Sequence, residues 1–433
     1  MNVILVLRKA KDSVDNRNRI LVSHARWTLS SIRCWLHAPC VLPWPEYGRM
    51  MNRRPGPSVI PAVWLGEPMA RLIGRLVCAL LIAFPLLTAA PAWASGPRRP
   101  TAVNIHPAGW MSSSASDINS HGEVIVTATN TVNGEIQPPL GFLWQAGKHT
   151  VLRPLPGGNG SLPRDVNERG EVVGFCQSAV HAARPCLWRQ GRPRDLGTLD
   201  ERGTGTALAV NDKGEVVGDN QTFIRGGLTR AFLWRRGVLT DLGGVGDRSA
   251  TGINNHSQVI GVHYSSNGPR AFLWQRGTLT DLGTLGGNEA VPADINERGQ
   301  IVGTSTTADG VQHAFLWQRG RMIDLGTPSG ISGALAINDH GQVVGWSNSA
   351  DGAARVFHWH QGVRTEFPGY DARINERGWI AGATAGDPRR AFLLRNRRMV
   401  TGDPAAAVTA LNNRGMLAGW TNTPGGHHAT VWK

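Results

Sequence analysis

The chain has 433 residues, with 45 Lys or Arg and 31 Asp or Glu, so its formal net charge is +14. Residues 1–94 hold 12 Lys or Arg and 4 Asp or Glu, which leaves 33 against 27, or +6, for residues 95–433. These later arginines are scattered among acids, which is typical of a solvated surface and not of a stripe that follows a phosphate backbone. We therefore expect no nucleic-acid partner.

The first recognisable element is an apolar segment within residues 69–94. A short basic region is followed by an apolar run from Leu76 to Ala90, and the segment closes on Ala92-Trp93-Ala94. This is the layout of a secretory signal peptide cleaved after Ala94. The run is shorter than the roughly 20 residues that cross a bilayer. We expect a secreted or periplasmic protein without a stable membrane anchor.

Residues 1–68 show no strand alternation and no helical stripe. Because a signal peptide acts from the N-terminus, we expect translation to begin at Met69 and residues 1–68 to be an unstructured, mis-assigned start. The alternative is a functional extension in which Arg53-Arg54 belongs to a twin-arginine signal. No apolar run follows that pair within reach, which weakens this alternative.

Residues 95–433 contain eight copies of one phrase, an aliphatic residue followed by Asn-x-x-Gly-x-x-x-Gly, with Val126 in place of the second glycine in the first copy and Ser257 in place of the first glycine in the fourth. A second phrase, Ala-Phe-Leu-Trp or a variant, follows each copy. Successive asparagines are 48, 44, 43, 42, 42, 37 and 37 residues apart, a period that indicates a repeat architecture. The asparagines are Asn119, Asn167, Asn211, Asn254, Asn296, Asn338, Asn375 and Asn412.

Each repeat reads as four short antiparallel strands joined by tight turns. In residues 290–332, Asn296 and Gly299 make a hairpin turn between the first two strands, and Gly320 ends the turn between the last two. Phe315 and Trp317 alternate with Leu316, so both faces of the sheet are apolar and need cover. Such sheets stacked around an axis form a β-propeller.

The ends of the chain predict how the ring closes. The last repeat has three strands, and an orphan strand at residues 101–105 precedes the first repeat. We therefore predict an all-β, eight-bladed propeller of four-stranded antiparallel blades, in which the N-terminal strand completes the last blade. The alternatives are seven blades plus a remnant, or a β-solenoid.

The two phrases resemble those of the HAF-repeat family of predicted extracellular bacterial proteins. The triplet His313-Ala314-Phe315 carries the name, Arg-Ala-Phe recurs at 230–232, 270–272 and 390–392, and Asp-Leu-Gly-Thr-Leu-Gly-Gly stands complete at 281–287. The resemblance covers about residues 103–433, but the last three repeats depart from it. It implies secretion and a repeat fold, with no activity to transfer.

Two cysteines follow the leader, Cys176 and Cys186, in the second and third strands of one repeat. Alignment with the other repeats puts them on the same side of adjacent strands, and an oxidising compartment favours a disulfide between them. A free thiol pair or a metal site is the alternative.

Three tryptophans break the repeat pattern: Trp346 and Trp420 follow a second-strand glycine, and Trp379 follows a turn glycine. Because residues that depart from a repeat pattern often mark function, we treat them as candidate ligand-binding residues that stack on sugars. The tryptophans of the third strands recur at a fixed position, which indicates core.

Metal, cofactor and catalytic patterns are weak. Asp117, Asp165 and Asp294 begin Asp-x-Asn-x-x-Gly stretches, but they lack the closing glutamate of a calcium loop. His358 and His360 have the spacing of a ligand pair without a third ligand. We expect no metal and no cofactor, and no serine elbow or phosphate loop is present.

These observations predict a secreted, monomeric propeller that binds an extracellular ligand, either a glycan or a protein. An extracellular hydrolase or lyase on the same frame is the alternative. A set of polar residues near the axis that escapes the repeat pattern would favour the enzyme.

Overall fold

A computed structural model describes residues 99–181, 183–222, 227–244, 246–326, 330–348, 352–405 and 407–433. The predicted signal peptide and residues 1–68 lie outside the described residues. Within them there is no helix, and hence none long and apolar enough to cross a membrane.

The strands in chain order begin with the N-terminal strand, β1 (Ala102–Asn104). Blade 1 contains β2 (Ser112–Ile118), β3 (Val124–Thr129), a small hairpin of β4 (Thr131–Val132) and β5 (Glu135–Ile136), β6 (Leu140–Gln145) and β7 (Lys148–Leu152). Blade 2 contains β8 (Ser161–Val166), β9 (Val172–Cys176), β10 (Arg184–Arg189) and β11 (Arg192–Asp195). Blade 3 contains β12 (Thr204–Val210), β13 (Val216–Gln221), β14 (Thr229–Arg235) and β15 (Val238–Asp241). Blade 4 contains β16 (Asp247–Ile253), β17 (Val259–Ser265), β18 (Gly268–Gln275) and β19 (Thr278–Asp281).

The second half of the ring follows the same plan. Blade 5 contains β20 (Gly286–Ile295), β21 (Ile301–Thr307), β22 (Gln312–Gln318) and β23 (Arg321–Asp324). Blade 6 contains β24 (Ser332–Ile337), β25 (Val343–Asn348), β26 (Ala354–His360) and β27 (Val363–Pro368). Blade 7 contains β28 (Tyr370–Ile374), β29 (Ile380–Ala383), β30 (Arg390–Arg395) and β31 (Arg398–Pro404). Blade 8 contains β32 (Ala407–Leu411), β33 (Leu417–Thr423) and β34 (Gly426–Trp432).

The predicted eight-bladed propeller is confirmed. Every blade is an antiparallel meander of four strands, here called A to D in chain order. The A strands of successive blades contact one another around the whole ring, from β2 through β32 and back to β2, so they lie nearest the axis. A closed ring of eight complete sheets excludes both the seven-bladed and the solenoid alternatives.

Strand β1 completes blade 8 as its D strand, as the orphan strand predicted. It pairs with β34 in the register Ala102↔Trp432, Val103↔Val431 and Asn104↔Thr430. The backbone N–H of Ala102 also donates to Asp403 Oδ2 of blade 7 at 2.8 Å. The first and last strands of the propeller therefore belong to one sheet.

The core consists of separate apolar clusters between neighbouring blades. The C-strand phenylalanines Phe232, Phe272, Phe315, Phe357 and Phe392 are at most 1% exposed. Trp188 and Trp432 are fully buried, and the other C-strand tryptophans pack against the same clusters. These tryptophans therefore belong to the core, as their fixed position in the repeat predicts.

The two repeated phrases of the C and D strands meet through a side-chain contact on the blade surface. Arg230 Nη2 lies 2.6 Å from Asp241 Oδ2, and His313 Nδ1 lies 2.9 Å from Asp324 Oδ2. Blades 2 and 4 carry equivalent arginine pairs. The same aspartate caps the turn after strand D, since Asp241 Oδ1 accepts the N–H of Gly243 at 2.8 Å. The His/Arg-Ala-Phe and Asp-Leu-Gly phrases therefore stabilise the C–D hairpin.

Candidate functional site

The repeated asparagines form a closed hydrogen-bonded ring around the axis. Each Asn Nδ2 donates to the backbone carbonyl of the equivalent Asn in the next blade at 2.9–3.0 Å, and Asn412 closes the ring by donating to Asn119. Each Oδ1 accepts the backbone N–H groups two and four residues later, which shapes the A–B turn. All eight side chains are at most 5% exposed. They hold the blades together and are not available to a ligand.

Three aspartates lie two residues before this asparagine and take no part in the turn. Asp117 Oδ2 accepts the N–H of Val166, and Asp165 Oδ2 accepts the N–H of Val210, both in the next blade. In the same way, Asp294 bonds to the A strand of blade 6. The Asp-x-Asn-x-x-Gly stretches therefore combine a turn with an axial carboxyl group that bridges two A strands.

Burial makes these axial carboxyl groups weaker acids than an aspartate in water. It raises the pKa of Asp294 to about 6. Burial, and then the neighbouring Asp117 carboxylate, raise the pKa of Asp165 well above its usual value. Burial also raises the pKa of Asp117, which is in hydrogen-bonding contact with Asp165. Two carboxyl groups bond in this way only when one of them carries a proton.

Arg373 occupies the equivalent position in blade 7, where four other blades carry Ala or Gly. Its guanidinium donates to the carbonyls of Thr409 and Ala372. Burial lowers the pKa of Arg373, and three aspartates counter this electrostatically: Asp371, Asp117 and Asp294. One cation and several carboxyl groups thus share the axial channel.

This axial set is the feature that sequence reasoning missed. The sequence contained a signal, because one position of the repeat holds Asp in three blades, Arg in one, and Ala or Gly in the other four. The local sequence does not place this side chain, and only the ring geometry shows that it faces the neighbouring A strand. The axis therefore carries a polar set that escapes the repeat pattern.

A pocket of about 370 Å³ opens between blades 6 and 7. It lies at the loop end of the propeller, which we define as the end that carries the B–C loops and the D–A connections. Its lining includes Leu335, Trp346, Arg355, Tyr370, Asp371 and Arg373. Arg373 belongs to both the pocket and the axial set, so the pocket extends to the axial set.

The polar side of this pocket carries both cations and an acid. The Arg389 guanidinium carbon lies 4.2 Å from the centroid of the Tyr370 ring, within cation–π range. Burial raises the pKa of Asp371, while Arg373 and Arg389 oppose that shift. The pocket can therefore offer an aromatic surface together with groups of both charges.

The structure does not bring the three candidate tryptophans together. Trp346 lines the pocket, whereas Trp420 holds the same repeat position in blade 8 with its ring 6.3 Å from that of His427. Trp379 lies at the turn end of blade 7, the end that carries the A–B and C–D turns. The guanidinium carbons of Arg377 and Arg395 lie 5.3 and 5.7 Å from the centroid of its ring.

Cys176 and Cys186 form a disulfide between strands β9 and β10, with Cα atoms 5.9 Å apart. Both side chains are fully buried in the cluster between blades 1 and 2. His358 and His360 lie on β26, and among the described residues no group of three His, Cys, Asp or Glu converges to hold a metal.

A second, smaller pocket of about 170 Å³ lies at the turn end near the axis. It is lined by the apolar Ile118, Ile374 and Leu411 and by the acidic Glu168 and Glu376. The residue after each repeated asparagine forms another ring here, because its N–H bonds to the equivalent side chain of the next blade, as Glu297 does to Asp339 at 2.8 Å. Seven of the eight blade junctions carry this bond.

Comparison with known proteins adds little to this description. No family model matches the chain, and no curated protein matches it. Among solved structures, the β-propeller domain of the Trilobed protease from Pyrococcus furiosus is 11% identical with a TM-score of 0.45, covering 67% of this chain and 97% of that one. Dipeptidyl peptidase 4 from Porphyromonas gingivalis is 9% identical with a TM-score of 0.47, covering 69% and 56%. Similarity this low carries no argument about activity, and the propeller assignment rests on the sheet order given above.

Proposed function

We propose that this protein is a secreted ligand-binding module, that its site is the pocket between blades 6 and 7, and that its ligand is a glycan. One observation carries the proposal: Trp346 and Tyr370 line the same pocket as Arg355, Asp371 and Arg373. Aromatic rings supply rigid apolar area, and a few placed polar groups fix orientation, which is how ligand pockets generally achieve specificity. A sugar needs both, because its ring has apolar C–H faces and hydroxyl edges.

The repeat allows this junction to be compared with the other seven. The place of Trp346 is taken by Thr127, Phe175, Asp219, Val262, Thr304, Ala383 and Trp420 in the other blades. Blade 8 therefore carries an equivalent tryptophan, but blade 1 offers Ser114 where blade 7 offers Tyr370. The pairing of the two aromatic residues across one junction supports a site at blades 6 and 7.

The test is a glycan array on residues 95–433 produced in an oxidising compartment, followed by calorimetry on the glycans that bind. We expect Trp346→Ala and Tyr370→Ala each to weaken binding by about 10-fold or more, or about 1.4 kcal/mol. Trp420→Ala is the matched control, since it removes the same side chain from the same repeat position outside the pocket. Equal losses for Trp346→Ala and Trp420→Ala, or an array without binding, would contradict the proposal.

A hydrolase or lyase on the same frame is the second candidate, and the axial carboxyl groups favour it. A carboxyl with the raised pKa of Asp294 holds a proton at weakly acidic pH and can act as a general acid. If this candidate is right, the protein releases products from a bound polysaccharide, and Asp294→Asn abolishes release while leaving binding in place. Binding without any product at pH 5–7 would eliminate it.

The proposal has three further parts. The protein is exported, it is a monomer, and it is related to the HAF-repeat proteins. The disulfide between Cys176 and Cys186 supports export, because such bonds persist in oxidising compartments. N-terminal sequencing of the exported protein should find Ser95 first, and light scattering should give the mass of one chain. A first residue upstream of Met69 or a larger particle would each overturn its part of the proposal.

A further inference from the structure

The turn end of the propeller concentrates positive charge that looked scattered in the sequence. In an antiparallel meander the A–B and C–D turns emerge at the same end of the sheet, and side-chain contacts join them here. Arg189 Nη2 lies 2.7 Å from Glu171 Oε1, and Gln300 Nε2 donates to Gln318 Oε1 at 2.8 Å. We call the seven C–D turns the rim; they are residues 145–148, 189–192, 235–238, 275–278, 318–321, 360–363 and 395–398.

The rim contains eleven Lys or Arg and no Asp or Glu. The eight A–B turns, from each repeated asparagine to the fourth residue after it, contain five Lys or Arg and eight Asp or Glu. The two sets of turns therefore have a net charge of +8, whereas the rest of residues 99–433, with 16 Lys or Arg and 19 Asp or Glu, has −3. The propeller is strongly polarised along its axis.

The acids at this end are largely engaged with the protein itself. Glu168, Glu297 and Glu376 accept backbone N–H groups from the preceding blade. Ten of the eleven basic rim residues are exposed, Arg395 being the half-buried one. Two apolar rim residues are also exposed, Val238 at 64% and Val363 at 66%. The rim thus combines many exposed cations with two exposed apolar side chains.

We propose that the turn end docks peripherally on a bilayer surface rich in anionic phospholipid headgroups, leaving the pocket at the loop end open. The basic rim residues come from six different blades around the axis, so a flat anionic surface meets many of them at once. A linear polyanion would meet only part of the ring. Each Lys or Arg near such a surface adds attraction that is screened over about 8 Å at physiological salt. This docking is independent of the proposed glycan site.

Co-sedimentation of residues 95–433 with vesicles tests the proposal. We expect binding to phosphatidylcholine vesicles that contain phosphatidylglycerol, little binding to pure phosphatidylcholine, and release as NaCl is raised. Arg276→Gln with Arg319→Gln should weaken the partition by about 30-fold, from the usual contribution of two surface cations. Both arginines have positive φ, 50° and 51°, and glutamine already stands in this conformation at Gln190 and Gln361, so the double variant should fold.

The matched control is Arg202→Gln with Arg390→Gln, which removes two exposed arginines outside the A–B and C–D turns. It should bind vesicles like the unmodified protein, and so should Trp346→Ala. Equal losses in both double variants would overturn the proposal, as would binding to pure phosphatidylcholine that is just as tight. Binding to a soluble acidic polysaccharide but not to anionic vesicles would also overturn it, in favour of a polymer ligand.

Discussion

At the residue scale, a single asparagine explains why the repeat is so regular. Its Oδ1 accepts two backbone N–H groups of its own turn, and its Nδ2 donates to the next blade. No other side chain of that size can both donate and accept in this way. An ionised Asp has no N–H group to donate, and Leu has no polar atom in its side chain. The requirement is identical at every blade junction.

Asn296→Ala should therefore be strongly destabilising. The change leaves two N–H groups of the turn and the Asn338 carbonyl without their partner in a buried place, and each such loss costs about 1–3 kcal/mol. With three such losses, we expect the free energy of unfolding to fall by about 3 kcal/mol or more in urea titrations. Asn267→Ala, at an exposed turn, is the control and should change it by less than about 0.5 kcal/mol. Similar values for the two variants would show that the ring contributes nothing.

The axial carboxyl groups make stability depend on pH in a defined direction. The pKa of Asp294 is about 6 in the fold, whereas its ordinary value is 3.8. At pH values between 3.8 and about 6, the folded chain therefore holds a proton on Asp294 that the unfolded chain has lost. This contribution is complete below pH 3.8 and is lost as the pH rises through 6.

Asp294→Asn removes this titration and should show the effect directly. The free energy of unfolding of the variant minus that of the parent should increase by on the order of 2 kcal/mol between pH 4 and pH 7. Urea titrations at several pH values measure it, and the other axial groups are common to both proteins. A difference that stays constant over this range would mean that Asp294 ionises normally.

At the element scale, the sequence predicts the strands but not the end of the blade at which a given side chain lies. The hairpin turns at Asn296 and Gly320 and the apolar alternation of the C strands are local signals, and all of them predict the observed meander. In the sequence, Trp346 and Trp379 look alike because both follow a glycine. Trp346 lies eight residues after its repeated asparagine and Trp379 four, and this difference puts them at opposite ends of their blades. The axial role of Asp294 depends on a hydrogen bond to another blade, which no local pattern reports.

The disulfide is an element-scale crosslink between strands β9 and β10. It closes a short loop, since the cysteines are 10 residues apart, and loop closure of this length contributes about 2–3 kcal/mol. Unfolding under reducing conditions should require that much less free energy than under oxidising conditions. Cys176→Ala with Cys186→Ala is the control and should be insensitive to reductant. A parent protein that is equally insensitive would mean that the thiols are free.

At the scale of the whole molecule, closure distinguishes this protein from an open repeat array. In a solenoid each repeat contacts only its neighbours, so damage at one end remains local. Here β1 lies in the same sheet as β34, and Asn412 bonds to Asn119, so the two ends of the chain support each other. Blade 8 is also the last repeat, and without β1 its outer edge is unpaired.

A chain that begins at Ile105 tests how far this coupling extends. It lacks β1 and its pairing with β34, whereas a chain that begins at Arg99 keeps both and is the control. Because the ring is continuous, we expect a lower thermal midpoint with a single calorimetric transition. Amide exchange should rise in blade 1 and in blade 4 as well as in blade 8, since the blades open together when the ring does. Faster exchange confined to blade 8 would mean that the blades are stable independently, and that closure by β1 protects one sheet edge and not the ring.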